Sequence, residues 1–301
     1  MTGARPKWAG VAIAGAALLM GVLGAGAQTQ VDAAIVLAAD ASVSMSDERL
    51  STQYVGHAAA FRHPAVIAAI TGGEHGAIAV TFVEWAEERH QVQMIDWTLI
   101  ASADDAHRFA ATILKASADG LSYDDALVPK FGIQLTSISG AIDFSTSLLL
   151  ETLPYDATRL VIDISGDGVQ NEPDDPAVLE AARAAALARG VTINGLPIPT
   201  NGRFAPDEDI VEYFERSVIG GPNAFSIAVE SWEKFPDALR RKLVLEIAGL
   251  TPESCQPPAT DDADGRCPKP FADAPAGTLA VVQPAGLEPA TYGSTIRRST
   301  S

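Results

Sequence analysis

Apolar and polar positions along residues 31–250 follow two alternating patterns: short apolar runs that stop at small polar residues, and Ala-rich stretches with helical spacing. VDAAIVLAAD (31–40) stays apolar at both odd and even positions, as a strand buried on both faces does. GAIAVTFVEWA (76–86), RLVIDIS (159–165), VTINGLPI (191–198) and AFSIAV (224–229) predict further strands. HQVQMIDWTLI (90–100) alternates only partly and follows the preceding run after a few charged residues. It predicts a strand that returns antiparallel at a sheet edge. Helical spacing fills the intervals at Asp47 to Ile70, interrupted at Pro64, and at Ser102 to Ala116, with Ser102 as cap and Asp104 and Asp105 in the first turn. Further helices are predicted at Ser139 to Leu150, Pro176 to Arg189 (ended by Gly190), Pro206 to Arg216, and Trp232 to Ala248 (ended by Gly249).

Strand–helix alternation of this kind predicts an α/β fold: a mostly parallel sheet with helices on both faces and one antiparallel edge strand. The predicted domain is 28–250. Residues 1–27 read as a secretory signal peptide, with Arg5 and Lys7 ahead of an uncharged run from Trp8 to Leu23 and small residues at Ala25-Gly26-Ala27. An uncleaved anchor is the alternative; the Gly and Ala content and the A-x-A ending favour cleavage before Gln28. Cleavage implies a periplasmic or secreted protein with no stable membrane insertion. In that oxidising setting Cys255 and Cys267 are expected to pair across a short loop, the alternative being two free thiols. From 251 to 301 the sequence turns Pro/Asp-rich and loses periodicity, which predicts a disordered tail.

Charge narrows the partners. Of 301 residues, 38 are acidic and 21 basic, a formal net charge of −17, which opposes binding to nucleic acid or anionic lipid. Two cysteines exclude a multi-Cys zinc module.

In an open α/β sheet, ligands bind beyond the carboxyl ends of the strands. Asp40-Ala41-Ser42-Val43-Ser44 follows the first strand, Gly166-Asp167-Gly168 follows the RLVIDIS strand, and Thr136 precedes the helix at Ser139. All three are expected on one rim. Asp40, Ser42 and Ser44 are spaced to face one side of an extended turn. With Thr136 and Asp167 they offer two carboxylates and three hydroxyls. These are hard oxygen donors suited to Mg²⁺, Mn²⁺ or Ca²⁺. A site that keeps the loop geometry without metal, with the two aspartates capping backbone N–H groups, is the plainer alternative.

DASVS, the threonine of TSISGAI and the strand ending in GDG resemble the von Willebrand factor type A domain with its metal-ion-dependent adhesion site (MIDAS). The resemblance spans roughly 31–250. It implies metal contact by Ser42, Ser44 and Thr136, with Asp40 and Asp167 acting directly or through water. Gly166 departs from the family, which more often has Thr before the Asp-Gly pair. FVEWA, WTLI, TSISGAIDF, VIDISGDG, GVTINGLPI and VIGGP resemble, more narrowly, a group of uncharacterised bacterial exported proteins with this domain. The implied function is adhesion-type binding: capture of an acidic residue on an exported or envelope protein through a divalent cation.

Two other classes compete with it: an Mg-dependent phosphate-ester hydrolase using the same rim, and a structural envelope protein with a vestigial site. The sequence holds no G-x-S-x-G elbow, H-E-x-x-H or P-loop, which argues against the usual enzyme templates. Asp163 is expected either behind the metal or paired with a buried polar neighbour, and Glu84 either behind the metal or, with Trp85, as an ordinary rim residue. His57 and His63 are expected in packing, and the acidic turn at Asp262 and Asp264 in solvent.

Overall fold

A computed structural model describes residues 28–42, 44–118, 135–200, 209–252 and 254. Residues 1–27, expected to be a signal peptide, Cys255 and Cys267, expected to pair, and nearly all of 251–301, expected to be a tail, lie outside the described residues, as does Val43. The strands are β1 (Gln30–Val31), β2 (Ala33–Asp40), β3 (Ile78–Trp85), β4 (Gln91–Ile100), β5 (Asp156–Ala157), β6 (Leu160–Gly166) and β7 (Val191–Pro197). β1 and β5 form a small parallel pair; the main sheet runs β4-β3-β2-β6-β7. β2 pairs in parallel with β3 and β6, β6 pairs in parallel with β7, and β4 is antiparallel to β3 at the edge. The α/β class, the parallel sheet and the antiparallel edge strand are those the apolar pattern predicts.

β2 is the centre because it can bury both faces. Ala33, Ile35, Leu37 and Ala39 point into one core and Ala34, Val36 and Ala38 into the other, all at most 2% exposed. The first core is closed by helices α1 (Asp47–Arg62), α2 (Pro64–Thr71), α3 (Ala103–Ala118) and α7 (Phe235–Ala248). The second is closed by α4 (Ile138–Ser147), α5 (Pro176–Ala188) and α6 (Ile210–Tyr213). The predicted break at Pro64 is real: the His63 imidazole Nδ1 accepts from the Ala65 amide and starts α2.

Two predicted elements differ. The helix expected over Pro206 to Arg216 has one α turn, Ile210–Tyr213, followed by a π-helical turn, Phe214–Val218; residues 201–208 lie outside the described set. Segment 224–229 is not a regular strand. It runs beside β7 with one bridge, Gly195 to Ser226. It bonds β7 through Gly195 N–H to the Phe225 carbonyl and through the Ile227 and Val229 amides, but the Asn194 side chain takes the Phe225 amide at 3.0 Å and Pro197 has no N–H to extend the ladder.

Gly56 fixes how closely α1 meets α7. A Cβ there would lie 2.8 Å from two ring carbons of Phe235, itself fully buried. Gly56→Ala is therefore expected to destabilise the fold by about 1–3 kcal/mol, despite alanine's better helix propensity. Urea denaturation tests this; an unchanged midpoint would mean that the Phe235 ring moves aside freely.

Candidate metal centre

β2 ends at Asp40 and β6 at Gly166, side by side in the middle of the sheet. From β2 the sheet grows in opposite directions, to β3 and to β6, which makes this the crevice where open α/β sheets bind ligands. The Asp40 and Asp167 side chains are fully buried, Ser42 and Thr136 are buried, and Ser44 is half-buried.

The structure links Asp40, Ser42, Ser44 and Asp167 through hydrogen bonds and sets Thr136 against the neighbouring Gly168. The Ser42 amide donates to Asp40 Oδ1 at 2.7 Å, folding the loop back over the end of β2. The Ser42 and Ser44 hydroxyls are 2.9 Å apart, and Ser44 Oγ donates to Asp167 Oδ1 at 2.5 Å. The Asp167 amide reaches Asp40 Oδ2 at 3.3 Å. Thr136 lies across from the Gly166-Asp167-Gly168 turn: a Cβ on Gly168 would stand 3.2 Å from Thr136 Oγ1. Thr136 Oγ1 makes no side-chain hydrogen bond among the described residues.

Burial pushes the Asp40 carboxyl up to about 7, with the nearby Asp167 charge adding to the effect and the Ser42 and Asp167 amides opposing it. Burial also raises Asp167, against the Ser44 hydroxyl and the Arg49 guanidinium. Two adjacent desolvated carboxylates are costly unless a cation compensates them. Among the described residues no three of His, Cys, Asp and Glu group as metal ligands, so an ion here would rely on hydroxyl oxygens as well. Paired carboxylates plus hydroxyls form an all-oxygen donor set that fits a hard divalent cation.

Sequence reasoning missed several residues that hold this arrangement. Gln53 on α1 donates from Nε2 to the Asp40 carbonyl at 2.7 Å and accepts from Ser165 Oγ at 2.9 Å. Asn171 Oδ1 accepts from the Thr136 amide at 2.6 Å, and the Thr136 carbonyl accepts from the Asn171 amide at 3.0 Å. Gln170 accepts from the Ser139 amide and donates to its hydroxyl, both at 2.9 Å. A Gln-Asn pair just after G-D-G was the available signal. Arg49 donates from Nη1 to Asp167 Oδ2 at 3.2 Å. The departure at Gly166 also has a reason. A Cβ there would sit 3.1 Å from both Asp40 Oδ2 and the Trp85 ring, which occupies that side of the loop.

The other singled-out residues fall elsewhere. Glu84 accepts from the Tyr54 hydroxyl at 2.7 Å, and burial pushes its carboxyl up to about 7. Trp85 donates from its indole to the Ala38 carbonyl. Asp163 pairs with a fully buried Lys242 on α7. His57 is core: its Nδ1 lies 2.7 Å from the Gln53 carbonyl, and its ring packs edge-on against Phe82.

A family model described as "Protein of unknown function (DUF1194)" matches residues 30–251, the whole of the sheet and its helices. The chain belongs to that family. No curated protein matches its sequence. Among solved structures, the fold is similar to the pilus adhesin SpaC from Lactobacillus rhamnosus GG, at 13% identity and TM-score 0.48, over 74% of this chain and 32% of that one. It is also similar to proximal thread matrix protein 1 from the mussel byssus "with zinc occupied MIDAS motif", at 15% identity and TM-score 0.43, over 73% of this chain and 47% of that one. The SpRpn10 VWA domain matches at 11% identity and TM-score 0.42, over 71% of this chain and 96% of that one. The chain thus spans less than half the length of the adhesin and the byssus protein.

Proposed function

We propose that residues 28–250 form an exported, metal-dependent protein-binding module that engages a carboxylate on its partner through the Asp40/Asp167 cluster. One observation carries this reading: two fully buried aspartates at adjacent strand ends, joined by the Ser42 and Ser44 hydroxyls and faced by Thr136. A divalent cation held there, Mg²⁺ first and Mn²⁺ or Ca²⁺ next, would supply an electron-poor face to an acidic group of a partner. Asp40 is oriented by two backbone amides and Asp167 by Ser44, so the donors are fixed before any ligand arrives. Ser42, Ser44 and Thr136 contribute neutral oxygens, which leave a bound ion's charge only partly cancelled. The signal peptide, with a periplasmic or secreted location, and an exported or envelope partner belong to this proposal, as do the narrower likeness to bacterial exported proteins and the role of 251–301 as a separate tail.

Phosphate-ester hydrolysis with the same donors would need an acid–base group. Among the described residues, no hydrogen bond of the five side chains goes to a histidine or a lysine, which favours binding over hydrolysis. A vestigial site would have little reason to keep two fully buried carboxylates at neighbouring strand ends.

Thermal melting of the chelator-treated protein with and without millimolar Mg²⁺ tests the proposal. The wild type is expected to gain stability as ligand binds the native state, about 2.7 kcal/mol when Mg²⁺ is a hundredfold above its Kd. Asp40→Ala should lose that gain while circular dichroism shows the fold retained. Equal Mg²⁺ shifts in wild type and variant would remove the basis for the reading.

A further inference from the structure

Arg49, in the first turns of α1, turns its guanidinium back onto the loop that precedes it. Nη1 donates to the Ser44 carbonyl and to Asp167 Oδ2, both at 3.2 Å. The guanidinium carbon lies 5.4 Å from the centroid of the Trp232 ring, which itself stacks on Phe235. The Arg49 side chain is 27% exposed, whereas that of Asp167 is fully buried. Among the described residues no other basic side chain pairs with Asp40 or Asp167, so this guanidinium is the cluster's own cation. Its Nε and Nη2 make no hydrogen bond among the described residues.

We propose that Arg49 is the resident counter-ion of the Asp40/Asp167 cluster and competes with a divalent cation for Asp167, thereby setting the cation affinity of the site. The inference rests on the reading of that cluster as a metal centre. Asp167 Oδ2 cannot give its full charge to an ion while Nη1 is bound to it. A fixed positive charge beside the cluster also repels a second cation. Partial exposure screens that repulsion without removing it. Arg49 can release Asp167 without losing all support, since Trp232 still holds the guanidinium over its ring. The side chain thus stabilises the metal-free loop and weakens cation binding by the same contact.

Calorimetric titration with Mn²⁺ separates these effects in the wild type, Arg49→Gln and Arg49→Lys, each stripped with chelator. Arg49→Gln is expected to bind Mn²⁺ about tenfold more tightly than the wild type and to melt at a lower temperature when metal-free. The affinity difference should shrink as KCl is added. Arg49→Lys, which keeps the charge, should stay close to the wild type. Affinities for Arg49→Gln within about twofold of the wild type, or an equal tightening in Arg49→Lys, would overturn the proposal while leaving the metal centre standing. Absence of Mn²⁺ binding in all three proteins would instead remove the metal centre, and this inference with it.

Discussion

Lys242→Ala is expected to destabilise the fold by about 3–5 kcal/mol, the range for a buried ion pair that loses one partner. Lys242 lies on α7 with its side chain completely out of solvent. Its ammonium reaches Asp163 Oδ1 at 2.5 Å on β6 and pairs with Glu246 one helical turn along. It also lies 5.8 Å from the centroid of the Phe225 ring. Asn194, the register partner of Asp163 on β7, donates to Glu246 Oε1 at 2.8 Å. Even so, Asp163 Oδ2 and Glu246 Oε2 have no hydrogen-bond partner among the described residues. Without the ammonium, the Asp163 charge would be left uncompensated in the core beside Glu246, whose carboxyl burial already pushes up to about 8, and water would have to enter. Urea unfolding near neutral pH measures the loss. Less than about 1 kcal/mol would show that the cluster is far less dry than its burial indicates. Replacing Lys242, Asp163 and Glu246 together by apolar residues of similar size should recover much of the loss, because the desolvation cost disappears with the charges.

Stability of the metal-free chain is expected to fall as the medium becomes alkaline, by several kcal/mol from about pH 5 to about pH 9. Burial pushes the Glu246 carboxyl from 4.5 to about 8, helped by Asp163 and opposed by Lys242 and Asn194. Burial pushes Glu84 from 4.5 to about 7, against the hydrogen bond from Tyr54. Both folded-state values are raised, so the native chain keeps protons that the unfolded chain has already released. That contribution is fully present below pH about 4.5 and is lost as pH rises through about 7 and about 8. Chelator must be present, because a bound cation would add a pH dependence of its own. Glu84→Gln together with Glu246→Gln should reduce the slope, leaving the part carried by the Asp40 and Asp167 carboxyls, which burial also raises. If the substituted chain shows the same slope as the wild type, the dependence arises from the Asp40/Asp167 cluster or from general charge repulsion at a net charge of −17 and not from Glu84 and Glu246.

Lys242 also illustrates what a one-dimensional pattern hides. The period of RLVIDIS places Asp163 on the same face as Val161 and so against the layer that contains α7. Nothing along the chain names its partner, because Lys242 is a distant residue on a helix whose composition is otherwise ordinary. Segment 224–229 misled for a related reason. It has strand-like composition, but the Asn194 side chain takes the Phe225 amide, and side-chain competition leaves no trace in apolar periodicity.

The sequence by itself determined the α/β layering, the antiparallel edge and the loops at the strand ends. Those follow from local periodicity, and period 2 against period 3.6 is written in consecutive residues. It also pointed to the rim that carries Asp40, Ser42, Ser44 and Asp167, since the loops after parallel strands share one edge, whereas Thr136 stands ahead of helix α4. Only the tertiary structure decided which residues hold that rim in place: Gln53 locking the Asp40 carbonyl, Asn171 clamping Thr136, Trp85 filling the space beside Gly166, and Arg49 supplying a cation. Each of these acts across a gap between different elements, and burial and charge compensation exist only once those elements have packed.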